Sequence, residues 1–341
     1  ETSSFQLPSL QPSFPYSLVC LSPPEMLFPL LASLALRIPA DDPIDKTWAA
    51  YLEKPPARAV ELAANLSARA DAVAAGLGKG TGMHITGEFD VVCSGGGDLN
   101  AYYMGIEMVL RRASKSHADW NATECRHGGA SAGGWLSFEL ALKGESISLL
   151  NYLAYGVLEE ENPLHFLTIA SAVMYQDHHW RMMAKWQATK WASELAKLDD
   201  LVYLALSCKN NSWWGGKQLV VVSRFTSVQQ AATAFIGTGA ISEEYEGMSC
   251  SDGSASSGPR MTPLFQDKRR QQLIIDLMRT GFPTIEMGFG KFTSKQYHDL
   301  VERGQDEAAE FLRTGRVARD SAAITLCPRD SDVSRMVCTD H

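Results

Sequence analysis

Along this chain, short apolar runs that break into glycine alternate with longer stretches in which apolar residues recur every three or four positions. The first pattern predicts strands and the second helices. Residues 55–75 are alanine-rich with apolar positions at helical spacing and Gly76 as a stop, and residues 78–82 read as a glycine-rich joint. Residues 88–93 form an apolar run that enters Ser94-Gly95-Gly96-Gly97 and then a helix through Tyr102, Gly105, Ile106, Val109 and Leu110. The pattern repeats at 123–131, a strand entering a second glycine turn, followed by a helix over 132–142. Residues 149–198 are mostly helical, with Trp180, Ala184, Trp191, Leu195 and Leu198 on one face and Met182 and Trp186 on others. Two β-rich runs, 201–207 and 218–223, precede a helix over 227–235. Residues 248–258 read as loop from their Gly and Ser content. Residues 272–277 and 283–287 read as a strand pair, 294–312 as closing helices, and the rest as a peripheral tail.

Strands alternating with helices predict an α/β fold with a mainly parallel central sheet, whose functional end lies at the carboxyl ends of the strands. Both glycine turns fall at that end. Composition narrows the function. With 341 residues and 45% hydrophobic content the chain can bury a sizeable core. A net charge of −8 spread over many segments argues against a phosphate-tracking groove, so nucleic acid is not an expected partner. Residues 1–25 hold five prolines and no Lys or Arg, and residues 26–36 form an apolar run too short to span a membrane. That run suits a signal-peptide core with processing near Ala40, although the first basic residue, Arg37, lies after it; a buried N-terminal helix is the alternative. The secretory pathway or the extracellular space is therefore expected, with no transmembrane anchor in the mature chain and a cytoplasmic, membrane-peripheral location as the alternative. The tripeptides starting at Asn65, Asn121 and Asn210 fit glycosylation acceptors. Without Cys20 six cysteines remain, a number that permits pairing without choosing it, and no C-x-x-C suggests a metal ribbon.

The chemistry lies in the turns. Gly129-Ala130-Ser131-Ala132-Gly133 is G-x-S-x-G, in which small residues flank a serine on a tight strand-to-helix turn. Gly95, Gly96 and Gly97 can aim backbone N–H groups at a developing oxyanion, or can serve only as a tight turn. Asn100 stands where a dinucleotide fingerprint needs its last glycine, and no P-loop follows the 78–82 glycines, so no nucleotide cofactor is expected. Asp177-His178-His179 does not suggest a metal, because adjacent residues on a helix diverge by about 100°. No metal site is expected elsewhere either.

Taken together, Ser94–Gly97, Gly129–Gly133 and Asp252-Gly253, in that order and with Ala101, Tyr102 and Gly105 after the first turn, resemble the patatin-like lipid acyl hydrolases over residues 84–315. The resemblance implies a three-layer α/β/α fold for that span, preceded by a leader with its signal peptide over 1–40 and a helical extension with a linker over 41–83, and followed by a tail over 316–341. It implies a Ser131–Asp252 dyad with Ser131 as nucleophile and Asp252 as its base. Gly95, Gly96 and Gly97 would form the oxyanion hole, and Gly129 and Gly133 the elbow. The implied substrates are fatty-acyl esters of phospholipid or galactolipid met at a membrane or micelle interface. Leu99 and Asn100 stand where the family has an arginine and a glycine, and Ser254 where it has Gly or Ala. A silent lipid-binding protein is one alternative. A Ser-His-Asp esterase using His298, the internal histidine after Asp252, is another.

Overall fold

The structure, a computed structural model, describes residues 42–77, 89–115, 125–143, 145–163, 169–191, 194–209, 217–240, 242–254, 270–277, 292–314 and 324–327. The expected leader, the 78–82 joint, the 283–287 strand, the Asn121 and Asn210 acceptors, Cys20 and Cys338 lie outside the described residues, as do the side chains of Trp186, Trp191 and Cys327.

Two helices come first. Helix α1 (Pro43–Glu53) starts where local chemistry dictates, with Pro43 at its first position and the Asp42 side chain accepting the Ile44 N–H at 2.9 Å. Helix α2 (Ala57–Gly76) turns Ala59, Ala63, Leu66, Ala70 and Ala74 inward, as its alanine periodicity predicts. Strand β1 (Phe89–Cys93) then leads through a 3₁₀ turn, Gly97–Leu99, into α3 (Asn100–Ser114). Strand β2 (Arg126–Gly129), α4 (Ala132–Lys143), α5 (Glu145–Glu161) and α6 (Ile169–Trp191) follow. Helix α1 is fastened to α6 through one carboxylate: Asp45 lies 2.8 Å from His178 Nε2 and 3.3 Å from His179 Nε2, so the adjacent histidines meet at its two oxygens.

The remaining elements are β3 (Val202–Lys209), β4 (Lys217–Val222), α7 (Val228–Gly237), β5 (Glu243–Tyr245), β6 (Met248–Asp252), β7 (Gln271–Ile275), α8 (Ser294–Thr314) and β8 (Ile324–Cys327). Eight strands form one mixed sheet, ordered β5-β6-β3-β2-β1-β7-β8 with β4 also on β3. Its centre, β7-β1-β2-β3, is parallel. Both flanks are antiparallel, which corrects the expectation of a mainly parallel sheet. Two local readings change with it. Residues 248–252, read as loop, are strand β6, and 324–327, read as tail, are strand β8 on the edge of the sheet.

Val91, Cys93, Leu204, Leu206, Leu273 and Ile275 share one core with the helices, while Val92, Ala130 and Ala205 form a separate small cluster with Tyr203 and Leu219. Alternation along β1 and β3 sends these two sets to opposite faces of the sheet. Of the three layers expected, the described residues thus give two: the sheet and a helical layer on one face. Among them no helix is long and apolar enough to cross a membrane.

Candidate active site

Register brings the site together. Cys93 at the end of β1 pairs with Gly129 of β2 on one side and Ile275 of β7 on the other, so both glycine turns leave the sheet at the same level. On β3, β4 pairs with residues 204–209 and therefore fills one edge. The other edge must take both β2, which ends with Gly129 opposite Leu204, and β6, which runs the opposite way and ends with Asp252 opposite Leu206. The two strand ends meet on one edge, one delivering Ser131 and the other Asp252.

Ser131 has φ 54°, a left-handed conformation that costs a residue with a Cβ about 1–2 kcal/mol. Hydrogen bonds on both sides hold it there. Its N–H donates to Thr238 O at 2.8 Å, and its own carbonyl accepts from the N–H groups of Gly134 at 3.0 Å and Trp135 at 3.1 Å as α4 begins. The flanking glycines are required by contact. A Cβ on Gly129 would lie 2.5 Å from the Gly133 carbonyl carbon, and one on Gly133 would lie 2.5 Å from Ser94 O. The segment is thus a tight strand-to-helix turn with Ser131 at its apex.

The Ser131 hydroxyl faces the Asp252 carboxylate and acts on it as a donor, without a hydrogen bond of good geometry between them. Burial pushes the Asp252 pKa above its ordinary value, while Ser131, Ser254 and the charge of Lys217 on β4 pull it partway back. A raised pKa makes this carboxylate a stronger base than a solvated aspartate. The Ser254 N–H donates to Asp252 Oδ1 at 2.8 Å, which fixes the carboxylate's rotamer. A Cβ on Gly253 would fall 2.1 Å from Ala205 O, so the Asp-Gly pair also answers to a close backbone approach.

Gly95 lies over Ser131: a Cβ there would lie 2.8 Å from Ser131 Cβ and 3.5 Å from Ser131 Oγ. Gly96 rests on Leu277, and Gly97 has φ 54°. None of the hydrogen bonds among the described residues uses the N–H groups of Gly95, Gly96 or Gly97, so this turn offers donors beside Ser131. Ser94 anchors the turn to the end of β7. Its N–H donates to Ile275 O at 2.9 Å and its Oγ accepts from the Leu277 N–H at 2.8 Å. Beneath it, buried Asp98 accepts from Tyr297 Oη at 2.6 Å and Gln176 Nε2 at 2.8 Å. Burial raises the pKa of Asp98 and also that of nearby Glu159, which the negative charge of Asp98 raises further.

All seven predicted site residues thus fall in one place. His298 does not join them: it lies on α8 with Nδ1 3.7 Å from both Asp299 and Glu302, and no hydrogen bond among the described residues links it to Ser131 or Asp252. His298, Asp299 and Glu302 are close enough together to hold a cation, yet Glu302 already pairs with Arg69 and Asp299 with Lys295.

Three contributors were not named from sequence. Thr238 O accepts the N–H groups of both Ser131 and Gly253, at 2.8 and 3.0 Å, and its hydroxyl donates to Ala205 O at 2.7 Å. The glycines beside it in Gly237-Thr238-Gly239 were the available signal. Asn100, noted as a break in the dinucleotide fingerprint and as a departure from the family, donates from Nδ2 to Ala132 O at 2.6 Å and to the Tyr152 hydroxyl, clipping α3 to the start of α4. Finally, Cys208 and Cys250, directly opposite across β3 and β6, form a disulfide two residues before Asp252. Cys93 and Cys125 are buried.

Comparison with protein-family models, curated proteins and solved structures finds no match to this chain.

Proposed function

We propose that this protein is a serine acyl hydrolase of the patatin-like kind, including that family's three-layer fold, acting on fatty-acyl esters of lipids through Ser131 and Asp252. The observation that carries the reading is the left-handed Ser131, brought to the Asp252 carboxylate by the shared edge of β3 and with Gly95 packed over it. Asp252 accepts the Ser131 proton as Oγ attacks the ester carbonyl, and the carbonyl π pair moves to oxygen, where the N–H groups of Gly95 to Gly97 receive it. Collapse expels the alcohol, which takes the proton from Asp252 and leaves an acyl-Ser131 ester. Water then attacks that ester, gives its proton to Asp252 and releases the fatty acid as the serine is restored. The lipid nature of the acyl donor, the interface where it is met and the secretory location rest on the sequence resemblance.

The test is labelling with a fluorophosphonate. Wild type takes one label on Ser131 and releases fatty acid from a short-chain ester and from phospholipid vesicles, and Ser131→Ala does neither. A wild type that takes no label and hydrolyses neither substrate refutes the reading and leaves the silent lipid-binding alternative. His298→Ala keeps wild-type turnover; a severe loss would move the base from Asp252 to a histidine triad.

A further inference from the structure

Ser254, where the resemblance called for Gly or Ala, occupies a crowded position. A Cβ on Gly95 would lie 2.4 Å from Ser254 Oγ and 3.5 Å from Ser131 Oγ, so this second hydroxyl sits between the acid, the nucleophile and the glycine turn. It is buried and lies against the Asp252 carboxylate without a hydrogen bond of good geometry to any described residue. The backbone of the same residue is already committed, its N–H donating to Asp252 Oδ1 at 2.8 Å. A buried hydroxyl without a settled partner is costly, whereas glycine or alanine would remove that cost.

We propose that Ser254 is a positioning residue of the hydrolytic site, its N–H holding one oxygen of the Asp252 carboxylate and its hydroxyl turning onto the carboxylate during the reaction so that the other oxygen stays turned to Ser131. The proposal rests on the reading of Ser131 and Asp252 as a dyad. As Asp252 takes up and returns the Ser131 proton, its need for donors changes, and a hydroxyl that rotates about its Cβ–Oγ bond can follow. The same hydroxyl favours the ionised carboxylate, opposing burial. Lys217 of β4 is the charged group that acts on Asp252 alongside it.

Ser254→Ala removes the hydroxyl and keeps the N–H. The acid limb of kcat/KM for a p-nitrophenyl ester, and of the fluorophosphonate labelling rate, should move to higher pH by about one unit, a tenfold loss on the limb, with the melting temperature unchanged. Ser254→Thr, which keeps the hydroxyl, should keep the wild-type limb. If the alanine variant does not fold, Ser254→Gly replaces it with the same expected shift. A variant without the hydroxyl whose acid limb stays where the wild type has it, while the wild type labels at Ser131, overturns this proposal and leaves the hydrolase reading intact. A wild type that never labels overturns both.

Discussion

Replacing Cys208 and Cys250 with alanine cuts the covalent tie between β3 and the strand that carries Asp252. The disulfide joins residues 42 apart in sequence, and closing a loop of that length lowers the entropy of the unfolded chain by an amount worth about 4 kcal/mol. Both sulfurs are buried, so the double variant also leaves a small void costing about 1 kcal/mol. In a domain of this size that sum lowers the melting temperature by roughly 7–8 °C. A second effect is local. Asp252 is two residues beyond Cys250, at the end of a five-residue strand, and a displacement of about 1 Å in a catalytic group can cost up to about 100-fold in rate. Calorimetry should therefore show a lower melting temperature, and turnover measured below the transition should fall tenfold or more with KM little changed. Peptide mapping without reductant checks the premise by finding the segments around Cys208 and Cys250 linked. A double variant that melts within about 2 °C of wild type removes the entropic argument, and one with full turnover removes the positional one.

Two other perturbations test the site from its remaining sides. Gly95→Ala places a methyl 2.8 Å from Ser131 Cβ and 2.4 Å from Ser254 Oγ, so the turn must shift; turnover should drop by about 100-fold or more with the fold retained by circular dichroism, and wild-type turnover would contradict the oxyanion assignment. Asp98→Asn tests the buried acid under that turn. Burial raises the Asp98 pKa from 3.8 to about 7, so the folded state binds the proton more tightly than the unfolded chain does, and the stability this gives is full below pH 3.8 and is lost as pH rises toward 7. Asparagine keeps the acceptor that Tyr297 and Gln176 use and removes the titration, so the variant should lose less stability than wild type between pH 4 and pH 8 in denaturant melts. Equal slopes would show that Asp98 does not titrate in that range.

How much of this was legible in the sequence depended on what each element needs. The glycine turns, the elbow and α4 could be read because close backbone approach leaves only small residues tolerable, and such residues are conspicuous between apolar runs. Strand β6 could not, since in Met248-Ser249-Cys250-Ser251-Asp252 only Cys250 is fully buried and Met248 partly so, and pairing with β3 supplies the register that periodicity lacks. Strand β8 was hidden for a similar reason: four residues near the end of the chain become a strand by pairing with β7. The role of Asn100 required knowing that α3 and α4 start side by side, a tertiary fact that its own neighbours in sequence do not encode.

The carbonyl of Thr238 has a consequence for how this site would respond to mutagenesis. Ser131 and Gly253 are both hung from that one oxygen, so the spacing between Ser131 and Asp252 has a common origin on the last turn after α7. The atom belongs to the main chain, and every amino acid at position 238 supplies it. Alanine scanning would report only the loss of the threonine hydroxyl from Ala205 O, and would rank the position as a minor one. A library screen would therefore be blind to this fixed point unless it included an ester in place of either amide, which deletes the donor and leaves the side chain in place.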